Sequence, residues 1–227
     1  MTKERHETGS GPQTLETLLL DAALGLIERE GWRDLTMGRF ARAAGVPLAE
    51  LYRRQRDKAD ILRGLINRID LAALSEDEPG LADGDTPRDR LFDAVMLRFE
   101  AMEPYRGAIR VLAEDLRRDP LSLAQVLPEM RQSLRWTLDA AGLDPSGVTG
   151  AVRVRVLGLV CLQTLQVWLD DDGRDLAKTM ADLDRRLRRS GRWLGLDRRS
   201  SASAERTQKD VEPDRKVYGE GDAASAA

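Results

Sequence analysis

Two residue types that build most reactive centres are almost missing. The 227-residue chain has one histidine, His6, and one cysteine, Cys161. A single thiol excludes an internal disulfide, and one of each excludes a Cys/His zinc site. A serine or cysteine triad lacks its base, since His6 lies in a polar N-terminal arm. These absences argue against the common enzyme classes, and neither a metal nor a cofactor is expected. Aromatic residues are only 4% of the chain. Val, Ile, Tyr and Thr are sparse beside Leu, Ala, Arg, Asp and Glu, a mix that favours helices over strands. No secretory signal pattern is visible near the start. The longest apolar run, Val156 to Leu169, contains Gln163 and Gln166 and reads as too short to span a bilayer. A cytoplasmic protein without stable membrane insertion is therefore expected, with Cys161 as a small core residue.

Charge is present in quantity but unevenly spread. The whole chain carries a formal net charge of −3, so it is not a basic nucleic-acid binder as a body. Residues 31–70, however, hold nine basic groups (Arg33, Arg39, Arg42, Arg53, Arg54, Arg56, Lys58, Arg63, Arg68) against five acids (Asp34, Glu50, Asp57, Asp60, Asp70). A local basic surplus on an acidic body suits a modular DNA binder, although surface helices often carry such surpluses too.

The apolar periodicity predicts an all-α protein. Leu15, Leu18, Leu19, Ala22, Ala23, Leu26 and Ile27 recur at helical spacing and form one face, which Gly31 ends. Thr36 suits an N-cap for a short helix through Ala44, with Phe40 and Ala41 inward. Gly45-Val46 makes a tight turn, and Pro47 can open a third helix to about Arg54. A fourth begins near Asp57 and carries Ile61, Leu62, Leu65, Ile66 and Ile69 on one face. Gly, Pro and Asp cluster over 75–87 and mark a domain boundary. Helices are then expected from Leu91 through Met102, over 104–118, 120–141 and 148–170, and over a last segment with Leu176, Met180, Leu183 and Leu187 on one face. The division is thus 1–12 as an arm, 13–73 as a helix-turn-helix domain with its motif at about 36–55, 87–197 as a C-terminal helical domain, and 198–227 as a disordered tail.

A helix-turn-helix needs two short helices and a glycine-containing turn, so that the second helix can enter the major groove. Phe40, Ala41, Ala44, Val46 and Leu51 supply the small shared core. Arg42, Tyr52, Arg53, Arg54 and Lys58 are long polar groups suited to phosphate oxygens. Leu48 and Ala49 suit thymine methyls, and Glu50 suits a cytosine amine but repels phosphate. Thr36, Arg39 and Pro47 complete the expected DNA-binding set.

The order Gly31-Trp32, Leu35-Thr36, Ala43-Ala44-Gly45-Val46, Leu51-Tyr52 and Asp57-Lys58 resembles the TetR family of transcriptional regulators over about residues 13–73. Five residues at two places depart from that pattern. Pro47, Leu48, Ala49 and Glu50 stand where small polar residues are usual, and Gln55 stands where an aromatic is usual. The resemblance implies sequence-specific binding to a double-stranded DNA operator, a homodimer formed by the last two long helices, and a pocket for a small effector. Repression is the default role it implies. Phe92, Met96, Phe99, Met102, Trp136 and Trp168 are the candidate pocket residues. Nothing polar stands among them, so a hydrophobic effector is expected; the same side chains at helical spacing also serve as plain core.

A shorter stretch points elsewhere. Trp168-Leu-Asp-Asp-Asp, Asp175-Leu176, Thr179-Met180 and Leu183-Asp-Arg-Arg-Leu187 resemble the end of lipid-binding accessory proteins of coenzyme Q biosynthesis. That resemblance implies an alternative, a lipid-binding protein of quinone or isoprenoid metabolism with a degenerate helix-turn-helix. The acidic run Asp170 to Asp175 does not fit a calcium loop, because Arg174 occupies a ligand position. It reads as a solvated turn capping the last helix. The arginines of 185–199 read as a solvated helix end.

Overall fold

The computed structural model describes residues 14–75, 86–173 and 175–196. Among them are nine α-helices: α1 (Leu15–Glu30), α2 (Met37–Ala43), α3 (Leu48–Arg54), α4 (Lys58–Ser75), α5 (Pro87–Met102), α6 (Arg106–Asp115), α7 (Pro120–Ala140), α8 (Gly147–Leu169) and α9 (Ala177–Leu194). The described residues contain no strand, and the fold is all-α. Residues 1–12, most of the 75–87 loop and the segment from 197 onward lie outside the described residues.

The helix starts follow capping chemistry. Thr14 Oγ1 accepts from Thr17 N at 3.3 Å at the head of α1, and Thr86 with Asp89 forms a reciprocal capping box ahead of Pro87 on α5. The single helix expected over 104–118 is instead α6 with short 3₁₀ turns at Glu103–Tyr105 and Leu116–Arg118. Pro104 lacks an N–H and cannot serve an α-helix interior, so the chain tightens there.

The buried stripe of α1 is wider than its periodicity implies. Leu20 and Leu24 are buried beside Leu19, Ala23, Leu26 and Ile27, while Leu18 is 47% exposed. The reason is tertiary: α1 packs on α2 and α4, and also on α6 of the C-terminal body. Gly107 on α6 permits that approach, since a Cβ there would stand 2.1 Å from a Glu28 carboxylate oxygen. The long α4 binds the two parts together. Its Arg68 pairs with Asp21 and donates to the Thr17 carbonyl of α1 at 3.1 Å, and its far half packs on α5 and α7.

α8 packs along α9 around Leu157, Thr164, Trp168, Leu183 and Leu187, all fully buried. The turn between them caps α9 as expected and leaves Asp170, Asp172 and Asp175 exposed, but one of its acids is not solvated. Asp171 is 2% exposed and accepts from Thr179 N at 2.9 Å and Thr179 Oγ1 at 2.8 Å. Burial opposes its ionisation, but those bonds and one from Gly173 N outweigh it and hold the carboxyl below its ordinary range. Met180, expected on the inner face of α9, is 41% exposed. α8, close to the expected 148–170, is 23 residues long, and among the described residues it alone has the length and apolarity of a membrane-crossing helix. Here it lies against α9 and α7.

Candidate nucleic-acid interface and apolar cavity

The helix-turn-helix is assembled from short-range bonds. Thr36 Oγ1 accepts from Arg39 N at 3.3 Å and starts α2. Gly45 N and Val46 N then donate to Arg42 O at 3.2 Å and Ala41 O at 3.0 Å, closing the turn. Gly45 has φ +66° with nothing within 4 Å of a would-be Cβ, so glycine serves the backbone conformation there and not a close contact. Pro47 is the cap of α3 and not its first helical residue, with φ −60° and ψ 144°. Phe40 and Leu51 are fully buried and clamp α2 to α3.

That clamp fixes what α3 presents. Leu48 is 55% and Tyr52 66% exposed, and Ala49 and Arg53 are exposed with them. The four fall at i, i+1, i+4 and i+5, which is one helix face. Glu50 lies beside this face and is paired: Oε2 meets Arg53 Nη1 at 2.9 Å and Oε1 meets Arg54 Nε at 3.0 Å. Arg54 Nη1 also stands 4.0 Å from Glu16, and Arg39 pairs with Glu30 and donates to Asp34 O at 3.1 Å. Much of the basic surplus is thus internally matched. Arg42 is exposed and has no ion pair among the described residues. The same holds for Arg33 and Arg56, which lie outside the set singled out from the sequence.

Lys58 has a partner within the chain. Expected at phosphate, its ammonium instead donates to the Trp32 carbonyl at 2.5 Å and lies 4.6 Å from the Trp32 ring centroid. Burial lowers its pKa, partly offset by the charges of Asp119, Asp115 and Asp34. Trp32 is fully buried; its N donates to Asp115 Oδ2 at 2.9 Å and its Nε1 to Asp119 Oδ2 at 3.4 Å. Trp32 and Lys58 therefore join the helix-turn-helix unit to the corner between α6 and α7. The sequence shows an aromatic after Gly31 but no sign of its distant acidic partners.

A cavity of about 200 Å³ lies between α4, α5, α7 and α8. Of the pocket candidates, Phe99 and Met102 line it, together with Met130, Ser133, Leu134 and Leu165. Four other candidates do not. Met96 is buried core and Phe92 is half-buried outside the cavity. Trp168 is fully buried behind it, with its ring 6.0 Å from that of Phe99 and Arg106 stacked at 4.3 Å. Trp136 is 51% exposed on a separate groove with Ala73 and Leu97. The polar wall residue that periodicity could not identify is Arg98, which pairs with Asp70 of α4; Asp70 Oδ1 also accepts from Ser133 Oγ at 2.7 Å. Among the described residues no three His, Cys, Asp or Glu side chains are grouped to hold a metal ion.

Comparison with known proteins agrees with this geometry. Residues 19–65 match the model of the family described as bacterial regulatory proteins, tetR family. Two solved structures are similar in fold. A TetR transcriptional regulator from Nitrosomonas europaea ATCC 19718 superposes with TM-score 0.62 at 18% identity, over 78% of this chain and 98% of that one. A TetR transcriptional regulator from Rhodococcus sp. RHA1 gives TM-score 0.56 at 16% identity, over 76% of this chain and 92% of that one. No curated protein matches the chain. The N-terminal unit carries the DNA-binding fold of TetR-family transcriptional regulators, and the helical body that follows has the corresponding fold.

Proposed function

We propose that this chain, with its TetR-type helix-turn-helix, is a cytoplasmic homodimeric repressor that occupies a double-stranded DNA operator and leaves it when a small, largely apolar effector enters the C-terminal body. The observation that carries this reading is the outward face of α3. A Leu at 55% and a Tyr at 66% exposure stand one turn apart on a helix clamped by buried Leu51. Leu48 and Ala49 suit thymine methyls, Tyr52, Arg53 and Arg42 suit phosphate, and Thr36, Arg39, Pro47, Glu50 and Arg54 set the geometry and charge around them.

The division into a DNA-binding unit over 13–73 and an effector and dimerisation unit over 87–197 belongs to the same proposal. Dimerisation through α8 and α9 is supported by Leu159 at 59% and Trp193 at 58% exposure, an apolar display costly to leave in water. Two copies would set two α3 helices on half-sites about 34–36 Å apart.

The test is binding of the purified chain to the DNA flanking its own gene, with Tyr52→Ala alongside and lipid extracted from the same preparation. Specific binding that Tyr52→Ala removes is the expected result. No specific binding at low salt, together with a stoichiometric isoprenoid lipid, would replace the repressor by the lipid-binding reading.

A further inference from the structure

We propose that the cavity between α4, α5, α7 and α8 takes a small amphiphilic carboxylate, its six- to eight-carbon body against Phe99, Met102 and Leu165 and its carboxylate received by Arg98 in place of Asp70. This rests on the reading of the cavity as the effector site and adds the chemistry of what fills it.

The wall of the cavity is apolar apart from Arg98, Ser133 and Cys161, and Arg98 is its only formally charged lining group among the described residues. The Arg98 side chain is 17% exposed, a strongly desolvated place for a permanent cation. Its guanidinium offers five N–H donors. Among the described residues only Nη1 makes a hydrogen bond, to Asp70 Oδ1, and that oxygen is shared with Ser133. A single arginine with spare donors at the edge of an apolar space is matched by a planar carboxylate, which accepts two parallel bonds. A phosphate would bring more charge than one cation offsets. Arg98 also borders the groove of Trp136, but Asp139 lines that groove and repels an anion there.

Size sets the body of the ligand. An apolar cavity of about 150 Å³ holds benzene, with six heavy atoms. The present cavity of about 200 Å³ therefore holds roughly eight heavy atoms, the number in hexanoate, and a somewhat longer tail can extend through its open side. Cys161 on the wall supports the same picture of a dry site with one nearby cation. Burial pushes its thiol up to about 11, against the pull of the Arg98 charge. Exchange of Asp70 for a ligand carboxylate would also alter how α4 is held to α5. α4 is the helix whose first residue, Lys58, holds Trp32.

The experiment is calorimetric titration of the full chain, near neutral pH, with hexanoate, octanoate, octanol and octylamine. Octanoate is expected to bind at least about ten-fold more tightly than octanol, and octylamine more weakly than either. Arg98→Met is expected to bring octanoate and octanol within about two-fold of each other while octanol affinity is kept. Asp70→Asn, which removes the internal competitor, is expected to tighten octanoate. Should Arg98→Met fail to fold, the wild-type ranking of acid, alcohol and amine decides alone. Octanol binding as tightly as octanoate to the wild type overturns the carboxylate proposal and leaves the cavity as an apolar effector site. Binding of none of the four overturns both readings.

Discussion

The ammonium of Lys58 lies over the indole of Trp32, 4.6 Å from its centroid, while donating to the carbonyl of the same residue at 2.5 Å. Both ends of this contact belong to the helix-turn-helix unit, while the Trp32 backbone N donates to Asp115 and its indole Nε1 to Asp119 of the C-terminal body. Lys58→Ala should therefore act on stability and not on phosphate contact. The expected loss is about 1–2 kcal/mol, from a partly desolvated cation–π pair and one charged hydrogen bond. The salt dependence of DNA binding should keep its wild-type slope, as measured by titrating DNA affinity against salt. A flattened slope would return Lys58 to the DNA surface.

Glu50 sits between Arg53 and Arg54, and exposed pairs of this kind add little to folding. Their effect falls on binding. Glu50→Gln frees two cations beside the outward face of α3. Non-specific DNA affinity at low salt should rise several-fold, and the log–log salt slope should steepen by about one unit. Discrimination between operator and random DNA should fall at the same time, measured by competition.

Neighbouring positions on α8 separate assembly from folding. Leu159 is 59% exposed, whereas Val160 is 3% exposed. Leu159→Asp should leave far-UV circular dichroism intact and sediment as a monomer. Val160→Asp should unfold the protein, because an unpaired carboxylate would be buried. A wild-type chain that sediments as a monomer at micromolar concentration would remove the dimer from the proposal.

Asp171 links stability to acid. Its folded pKa lies below the unfolded value, so the unfolded chain takes up the proton first. The stabilisation is complete above about pH 4 and is lost as pH falls through the folded value. Asp171→Ala should cost about 1–3 kcal/mol at neutral pH, since Thr179 N and Oγ1 lose their buried acceptor. The difference in denaturant midpoint between variant and wild type should shrink on acidification.

Local signals in the sequence located the elements that local physics controls. Thr36 as a cap, Gly45 in the turn, Phe40 and Leu51 inward and Tyr52 outward all depend on neighbours within a few residues, and each is placed as its pattern implies. Long-range partners were not legible. Lys58 looks like any basic residue opening a helix until Trp32, Asp115 and Asp119 are brought round it. Trp168 and Trp136 are alike in sequence, yet one is sealed behind the cavity and the other stands on a separate groove. Arg98 has an unremarkable sequence context, and only the convergence of α4, α5 and α7 makes it the charged wall of an apolar space. Periodicity reports that a face is buried but not which neighbour buries it.

The tryptophans divide in a way that makes the molecule its own optical instrument. Trp32 and Trp168 are fully buried, while Trp136 and Trp193 are more than half exposed. An aqueous quencher such as iodide reaches the second pair and darkens it, leaving emission from two indoles in dry surroundings. One of those stands at the joint between the helix-turn-helix unit and the body, against a lysine ammonium; the other stands behind Phe99 at the cavity wall. What survives the quencher is a two-channel signal, one channel at each end of the path from the apolar cavity to the helix-turn-helix. Replacing either buried indole by Phe isolates the other, so the order in which the two ends respond becomes visible in time without attaching any label.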